Sequence, residues 1–275
     1  GKLFSAFTLT LILQQVAITG IIGAAQTLVI LTAGIDLSVG AIMVLSSVVM
    51  GQFTFRYGFP PVLSIICGFM VGAICGYVNG LLVSKMKLPP FIVTLGSSQD
   101  IDAEAPILKF FANDIRAGGA VFTYGVISMV LLVVILWYVL NHTAWGRHVY
   151  AVGDDPDAAE LSGVRTSRVL LQVYTLAGII CAFGAWVLIG RVGAISPTSG
   201  AFANIESITA VVIGGISLFG GRGSILGMIF GALIVGLFSL GLRMLGTDPQ
   251  YTYMMIGVLI ILAVAVDQWI RKVAG

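Results

Sequence analysis

Charged side chains are scarce in this chain of 275 residues. Asp, Glu, Lys and Arg make up 9% of it, whereas hydrophobic residues make up 58%. Soluble domains carry roughly 25% charged residues, so this composition cannot cover an aqueous surface. Because about 20 apolar residues span a bilayer as a helix, the sequence predicts an all-α, polytopic membrane helix bundle. Long runs that lack all four charged residue types include 3–35, 37–55, 57–84, 169–190, 224–242 and 249–266.

Cysteine and histidine are also rare. Cys67, Cys75 and Cys181 lie singly inside apolar runs, and the two histidines are His142 and His148. An isolated cysteine in apolar surroundings usually packs as a small hydrophobic side chain. The spacings typical of zinc sites and redox pairs are missing. We therefore predict no metal site and no cofactor bound by this chain.

A phosphate-binding loop of the GxxxxGK[ST] type is missing as well. We therefore predict that the chain is not an enzyme and does not hydrolyse ATP by itself. The net charge of +2 provides no basic surface for nucleic acid. The first apolar run is longer than that of a cleavable signal peptide, so it predicts a retained helix.

Glycine and proline clusters divide the apolar runs into helices. The PFIVTLG stretch that begins at Pro90 covers only a third of a span before the polar stretch 100–119. It either re-enters the membrane or lacks the residues that would complete a helix. Counting uncertain segments, we predict about 8–10 transmembrane helices. Those with clear bounds are 9–33, 39–55, 60–84, 122–140, 168–190, 204–219, 224–245 and 251–270.

The two halves of the chain resemble each other. Gly20 and Ala24 match Gly178 and Ala182 at a separation of 158 residues. If the PFIVTLG stretch is counted as a helix, equivalent helices lie five apart, and an odd number reverses the chain direction. We therefore predict an inverted five-helix repeat, as many transporters have. Its halves are about 1–120 and 141–275 within one domain, 1–275.

The hydrophilic connection 141–168 carries Arg147, Arg165 and Arg168. Positive charge in short loops favours the cytoplasmic side of a membrane. We therefore place this connection in the cytoplasm, and alternation of the helices puts the C-terminus there too.

A short helix is predicted inside this connection. Asp155 is a good N-cap, Pro156 suits the first helical position, and Asp157 complements the helix dipole. Gly163 supplies a C-terminal stop. Two turns are too short to persist alone in water, so either another surface holds this helix or the segment is a solvated loop with a turn.

Polar side chains inside the apolar runs are candidates for a substrate path, because such groups are unfavourable in a membrane. Asp36 or Ser38 either caps the helix 39–55 or contacts a ligand. Glu206 is either a first-turn residue that complements the dipole or a path residue. For the others, the alternative is hydrogen bonding between helices. The path candidates are Asn79, Gln14, Gln15, Asp36, Ser38, Asn204, Glu206 and Ser207.

Small residues form one face of the helix 60–84. Glycine recurs there every four residues, which lets helix backbones approach closely. We predict that this face packs against another helix, within one protomer or between two. The residues are Gly68, Gly72, Gly76 and Gly80.

Three ordered motifs carry a resemblance to a known family: GIDLSVG (34–40), GDDPDAAELSGV (153–164) and IGGISLFGGRGSILG (213–227). The chain resembles the permease subunits of bacterial ABC importers for ribose, xylose and fructose, the fructose type most closely. The resemblance covers nearly the whole chain. It implies a homodimer of permeases in the inner membrane, a periplasmic sugar-binding protein, and two cytoplasmic ATPase domains that bind ATP and Mg²⁺.

The resemblance also implies a coupling role for one loop and a longer chain in other members. Family members usually have a further N-terminal helix and a complete helix after PPFIVTLG, so we expect a shortened chain here. In such importers, the loop equivalent to 153–163 is the coupling helix that docks into the ATPase. The residues it assigns to coupling are Gly153, Asp154, Asp155, Pro156, Asp157, Ala158, Ala159, Glu160, Leu161, Ser162 and Gly163.

Two other functions remain open: a stand-alone secondary transporter or channel, and an ABC permease for branched-chain amino acids. A stand-alone carrier needs no docking helix, so the segment 153–163 favours an ATPase partner. A zwitterion calls for charged or helix-end recognition, whereas a sugar needs neutral hydrogen bonding. The Gln, Asn, Ser and Thr residues of the apolar runs favour the sugar, but the sequence does not name it.

Overall fold

The computed structural model describes residues 5–86, 99–100, 105–117, 120–195, 200 and 202–248. Of the C-terminal segment it describes 251, 254–255, 257–259, 261–262, 264–266 and 268. The PFIVTLG stretch and the extreme C-terminus, 269–275, lie outside the described residues. The helices are α1 (Ala6–Leu31), α2 (Val39–Phe55), α3 (Pro61–Met86), α4 (Tyr124–His142), α5 (Ala144–Asp154), α6 (Pro156–Leu161), α7 (Thr166–Val192), α8 (Ala203–Ile213) and α9 (Ile225–Met244).

Strands are few and short within these residues. β1 (Gln99–Asp100) pairs antiparallel with β4 (Ala194–Ile195), and β2 (Asp114–Ala117) forms a hairpin with β3 (Ala120–Thr123). By length and composition, α1, α3, α4, α7 and α9 can each cross a membrane. Two shorter apolar helices, α2 and α8, accompany them, and the described residues between 257 and 266 are helical as well. The prediction of an all-α, polytopic membrane bundle is confirmed.

Six predicted helices begin and end within three residues of the observed bounds. For one of them, α2, the observed first and last residues are the predicted ones. The helix predicted at 204–219 is too long, because α8 ends at Ile213. Gly214 and Gly215 follow, and Gly215 has a φ of +80°, which takes the chain out of the helix. The apolar residues after them, which suggested a continuing span, belong to a loop.

α5 is a helix that the sequence reading missed. Thr143 caps it by accepting from the N–H of Gly146 at 3.1 Å. Val149 and Val152 are buried, and their spacing of three, with Trp145 one turn earlier, gives the helix a single apolar side. This periodicity is the sequence signal from which α5 could have been predicted. The connection 141–168 is therefore mostly helical.

The centre of the bundle is formed by α1 and α7. Every residue of α1 from 16 to 31 is buried. In contrast, α3 exposes an apolar stripe at helical spacing, as a helix that faces lipid does. The residues of this stripe are Val62, Ile66, Met70, Ile74 and Tyr77.

The glycine face of α3 packs mainly against α7, and the two helices run antiparallel. A Cβ atom added to Gly72 would lie 2.5 Å from the carbonyl oxygen of Gly178, and one added to Gly76 would overlap that of Tyr174. Gly80 lies against Leu171 in the same way. Nearer the start of α3, Gly68 instead lies against α2, at Met50 and Ser46.

The segment 105–117 is not a simple solvated loop, although it belongs to the stretch 100–119, which interrupts the apolar runs. Leu108 is 0% exposed, and the indole N–H of Trp186 donates to the carbonyl oxygen of Ile107 at 3.0 Å. The rings of Phe111 and Trp186 meet edge to face, with centroids 4.9 Å apart. The segment thus covers the C-terminal part of α7.

Candidate functional site

α6 is the short helix predicted in the hydrophilic connection. Oδ1 of Asp155 accepts hydrogen bonds from the backbone N–H groups of Asp157 and Ala158, at 3.0 and 2.9 Å. Pro156 takes the first helical position, and Gly163 follows the helix with a φ of +87°. The predicted cap, start and stop are confirmed.

α6 turns most of its surface away from the bundle. Of the eleven residues 153–163, Gly153 and Ala159 are buried and the other nine are exposed. Leu161 is 91% exposed. Burial of an apolar side chain against another surface is favourable, and a two-turn helix needs such support. The exposed side of α6 is therefore a candidate docking surface.

The end of α5 meets two other segments backbone to backbone. A Cβ atom added to Gly153 would overlap the carbonyl oxygen of Leu31, the last residue of α1. The N–H of Gly221 donates to that same oxygen at 3.0 Å, and a Cβ on Gly220 would lie 2.6 Å from the oxygen of Gly153. Glycine permits this close approach because it has no Cβ. We call Leu31, Gly153, Gly220 and Gly221 the backbone clamp.

Tyr150 adds a side-chain bond beside the backbone clamp. Its hydroxyl donates to the carbonyl oxygen of Gly223 at 2.9 Å. Burial raises the pKa of the Tyr150 phenol, so the hydroxyl keeps the proton that it donates. Because α6 follows α5 directly, these contacts connect α6 to the end of α1. The clamp also brings the motifs 153–164 and 213–227 next to the chain that leads into 34–40.

Asp36, Ser38 and Asn79 form a buried hydrogen-bonded group. Oδ1 of Asp36 accepts from the backbone N–H and the hydroxyl of Ser38, at 2.7 and 2.6 Å. The Asn79 amide donates to the Ser38 hydroxyl at 2.8 Å. None of the three is more than 2% exposed. The group ties the α1–α2 connection to α3, as expected of a hydrogen bond between helices.

The start of α2 is capped by a residue far away in sequence. Asn204, in the first turn of α8, accepts from the N–H of Gly40 and donates to the carbonyl oxygen of Leu37, both at 2.6 Å. Ser38 is the N-cap residue but makes no side-chain cap bond. Of the two expected caps, Ser38 is therefore wrong, whereas Asp36 does accept from the backbone N–H of Ser38 where α2 opens, and Asn204 accepts from the N–H of Gly40.

A second polar group joins α1, α7 and α8. Oε2 of Glu206 accepts from the Gln15 amide at 3.4 Å and from the Thr19 hydroxyl at 3.2 Å. The carbonyl oxygen of Gln15 accepts from the Arg191 guanidinium at 2.6 Å. The positive charge of Arg243 also acts on Glu206. We call Gln15, Thr19, Arg191 and Glu206 the carboxylate cluster.

Sequence reasoning found two members of the carboxylate cluster and missed two. Thr19 lies one turn after Gln15 on the same side of α1, which was a usable signal. Arg191 interrupts the apolar sequence at the end of a span, where a charge is a candidate functional residue.

Two remaining path candidates do not join the carboxylate cluster. The hydroxyl of Ser207 donates to the carbonyl oxygen of Asn204 within α8, at 2.9 Å. The other candidate, Gln14, lines a cleft of about 90 Å³ together with Ala17, Phe111, Ala112, Thr123, Gly125, Val187, Gly190 and Arg191.

In the described part of the chain, no group of three or more His, Cys, Asp or Glu residues could hold a metal ion.

Comparison with known families matches the chain to one family model. The model describes the permease component of branched-chain amino acid transport systems, and it matches residues 8–98 and 96–264. The chain belongs to this permease family. The resemblance carried by the three sequence motifs is thereby confirmed at the level of the family.

Several curated relatives of the permease are named for sugars. It is 72% identical to the fructose import permease protein FrcC of Rhizobium meliloti, over 100% of the chain and 81% of the relative. It is 40% identical to the ribose import permease protein RbsC of Bacillus subtilis (94% and 83% covered). It is 34% identical to the D-allose transport system permease protein AlsC of Escherichia coli K12 (96% and 84% covered). No solved structure matches.

The alignment with the fructose import permease protein FrcC is longer than the present chain. It extends over 293 residues, 18 more than the 275 of the chain. The family match is divided at residues 96–98. This division lies beside the PFIVTLG stretch, where the sequence predicts an incomplete helix.

Proposed function

We propose that this permease is the translocation subunit of an ATP-driven, binding-protein-dependent importer of a neutral monosaccharide. The relatives named for fructose, ribose and D-allose support this cargo class. In this proposal, two copies of the permease form a homodimer in the bacterial inner membrane. A periplasmic protein delivers the sugar, and a cytoplasmic ATPase binds ATP and Mg²⁺. The chain is one permease domain, 1–275, with inverted repeat halves at about 1–120 and 141–275.

The observation that carries the proposal is the construction of α6. It is capped at Asp155, exposes Leu161, and is joined to the end of α1 by the backbone clamp. A helix that is exposed on one side and mechanically connected on the other suits a docking element that transmits movement. We assign the coupling role to 153–163 and place it, with the C-terminus, in the cytoplasm.

The buried polar groups supply the hydrogen-bonding partners of the proposed path. A sugar hydroxyl that leaves water without a replacement partner loses about 1–3 kcal/mol on protein scales. Gln15, Thr19 and Glu206 offer neutral and charged partners on facing helices. Asn79 and Asn204 also make hydrogen bonds to the connection between α1 and α2, so their first role is to fix the positions of helices.

A branched-chain amino acid is the second candidate cargo, because the description of the family model names it. The guanidinium of Arg191 and the carboxylate of Glu206 are opposite charges in one cluster, and they could bind the two charged groups of an amino acid. The names of the three relatives favour the sugar. A stand-alone carrier or channel is disfavoured, because it would leave the exposed side of α6 without a partner.

Uptake by the purified importer tests the proposal. Mild detergent extraction from native membranes should recover the ATPase and the binding protein with the permease. After reconstitution into proteoliposomes, uptake of labelled D-fructose, D-ribose, D-allose and L-leucine is measured with and without ATP. We expect ATP-dependent uptake of at least one sugar and none of L-leucine. Uptake of L-leucine alone would refute the cargo, and uptake without the ATPase would refute the importer class.

A further inference from the structure

A groove on the outer surface of the bundle takes no part in the interactions described above. It lies between α3, α5 and α7 and has a volume of about 430 Å³. Its lining consists of Tyr77 from α3, Trp145 from α5 and five residues of α7 from Leu171 to Ile179. The surface that these residues expose to the groove is almost entirely apolar. We call it the lateral groove.

The lateral groove opens toward lipid. Tyr77, on one wall, is 47% exposed and ends the apolar stripe of α3 that points away from the bundle. Ile179, on the opposite wall, is exposed as well. Because both α3 and α7 can cross a membrane, an apolar groove between them lies beside the hydrocarbon region of the bilayer. The groups that match such a surface there are the acyl chains of lipids and other apolar helices.

The size of the lateral groove favours an acyl chain over a helix. Leu171 and Ile179 lie eight residues apart, which is about 12 Å along α7. A helix is about 10 Å across, so a helix that filled the groove over that length would occupy roughly 900 Å³. The groove has about 430 Å³. A single hydrocarbon chain is narrower than a helix and bends to follow the space.

Trp145 marks the level of the lipid headgroups at one end of the lateral groove. Its indole N–H donates to Oε1 of Gln172 at 3.0 Å. Tryptophan is enriched where a membrane meets water, and the hydrophilic connection 141–168 leads into this end of α7. With a rise of 1.5 Å per residue, Ile179 lies about 10 Å deeper in the membrane than Gln172, and Arg168 lies about 6 Å nearer the water.

Arg168 continues the side of α7 that lines the lateral groove. It precedes Leu171 and Gln172 by three and four residues, the spacing that makes helical residues neighbours on one side. Its side chain is exposed and forms no ion pair with a described residue. Arg165, three residues earlier, is exposed as well. Nε2 of Gln172 has two hydrogens to donate and no acceptor among the described residues. One side of α7 thus offers, in order, positive charge, an amide donor and an apolar groove.

We propose that the lateral groove binds an anionic phospholipid from the leaflet next to the connection 141–168. The phosphate pairs with Arg168 through charge-assisted hydrogen bonds, an ester carbonyl oxygen accepts from Nε2 of Gln172, and one acyl chain lies along the groove toward Ile179. The three groups follow one another along α7 in the order in which they occur in a phospholipid. Two exposed arginines at this end favour a headgroup with net negative charge over a zwitterionic one. In the proposed orientation this leaflet is the cytoplasmic one.

The thermal stability of the delipidated permease tests recognition of the headgroup. The full chain in detergent is titrated with phosphatidylglycerol or with phosphatidylcholine, and the Tm is measured. A ligand that binds only the folded state raises the Tm, so phosphatidylglycerol should raise it at a lower concentration than phosphatidylcholine. Loss of one basic residue near an anionic lipid surface weakens binding about five-fold. Arg168→Gln should therefore need about five times more phosphatidylglycerol. Arg147→Gln is the matched control and should respond as the parent does, because Arg147 lies two residues after Trp145, on a different side of α5.

Filling the lateral groove tests the position of the acyl chain. Ile179→Trp puts a large ring into the groove. Val130→Trp is the matched control, because it puts the same ring on the exposed side of α4, which does not line the groove. Mass spectrometry of the lipids that stay on the permease after mild detergent extraction measures the bound anionic phospholipid. We expect Ile179→Trp to retain less than half of the parental amount and Val130→Trp to retain all of it.

Five results would overturn the proposal. Equal responses of the parent to the two lipids, or a parental response of Arg168→Gln, would remove the headgroup contact. Full stabilisation by inorganic phosphate alone would show an ion site without a lipid. Parental lipid retention by Ile179→Trp would remove the acyl chain from the groove. Crosslinking of Ile179→Cys between two copies, after the three native cysteines are replaced by alanine, would assign the groove to a second permease.

The lipid site does not depend on the cargo, since none of these measurements uses sugar or ATP. If the importer takes up no sugar in the presence of its ATPase and binding protein, the proposed function fails and the lipid site stands. If the importer takes up sugar and the lipid measurements give the contrary results, only the lipid site fails.

Discussion

Replacing Asp155 by alanine tests α6 separately from the membrane domain. Its carboxylate makes both hydrogen bonds that close the first turn of the helix, to the N–H groups of Asp157 and Ala158. The residue is exposed and lies outside the helices that can cross a membrane. The substitution therefore weakens the proposed docking helix and leaves the bundle intact.

The size of the effect follows from the geometry of the cap. Losing an N-cap side chain costs about 1 kcal/mol, within a range of about 0.5–2 kcal/mol, and 1 kcal/mol changes an equilibrium about five-fold. α6 has six residues, so its folded form is only marginally stable before docking. A partner that binds only the folded form loses apparent affinity in proportion to the population of that form. We expect the Kd for the ATPase to rise about three- to five-fold.

Titration of the ATPase onto detergent-solubilised permease measures this Kd, and thermal unfolding reports on the membrane domain. Asp155→Asn is the matched control, because asparagine caps a helix as well as aspartate does. We expect Asp155→Asn to keep the parental Kd, and both variants to keep the parental Tm. Equal Kd values for Asp155→Ala and the parent would refute the docking role of α6.

Three further substitutions test separate parts of the structure. Leu161→Asp should abolish ATPase binding in the same titration, because it puts a charge into the proposed docking surface. It should not change the Tm, because the side chain is 91% exposed. Unchanged binding would place the docking surface elsewhere. Gly76→Leu should lower the Tm, since overpacking costs about 1–3 kcal/mol and an added Cβ already overlaps the backbone of α7. Its control is Gly241→Ala, where an added Cβ meets nothing within 4 Å, and a normal Tm for Gly76→Leu would contradict the packing. Asn79→Leu removes a buried bond between helices, worth about 0.6 kcal/mol on average. It should lower the Tm and leave uptake per assembled complex unchanged, and lower uptake per complex would instead put Asn79 in the path.

Most helices could be predicted because charges and helix breakers mark their ends. Arg56 ends the charge-free run of α2, and the bounds found there match the prediction. The end of α8 was harder, since the sequence stays apolar after Gly214 and only the backbone conformation of Gly215 reveals the turn. α5 was missed because its apolar side is narrow and its other residues resemble a loop.

The candidate site could be predicted only as separate residues. Gln15 and Glu206 each qualified as polar residues in an apolar run, but their hydrogen bond joins positions 191 residues apart. Likewise, Asn204 caps α2 across 164 residues of sequence. The register between α1, α2 and α8 determines these contacts, and a single sequence does not contain that register. Local cap chemistry, as at Asp155, was predictable because all the atoms involved are neighbours in sequence.

The same helix, α1, carries Gln15 and Thr19 of the carboxylate cluster and ends in the backbone clamp, so Gly153→Ala should separate ATP hydrolysis from sugar movement. Gly153 has no positive φ, and alanine is the more stable residue in a helix, so α5 itself tolerates the change. The added methyl group would overlap the Leu31 carbonyl oxygen and push α5 away from α1. Because α6 is untouched, the ATPase should still bind and hydrolyse ATP. We expect fewer sugar molecules delivered per ATP hydrolysed in proteoliposomes, with Gly241→Ala as the neutral control. A parental ratio of sugar to ATP in Gly153→Ala would show that movement reaches the path by a route other than α1.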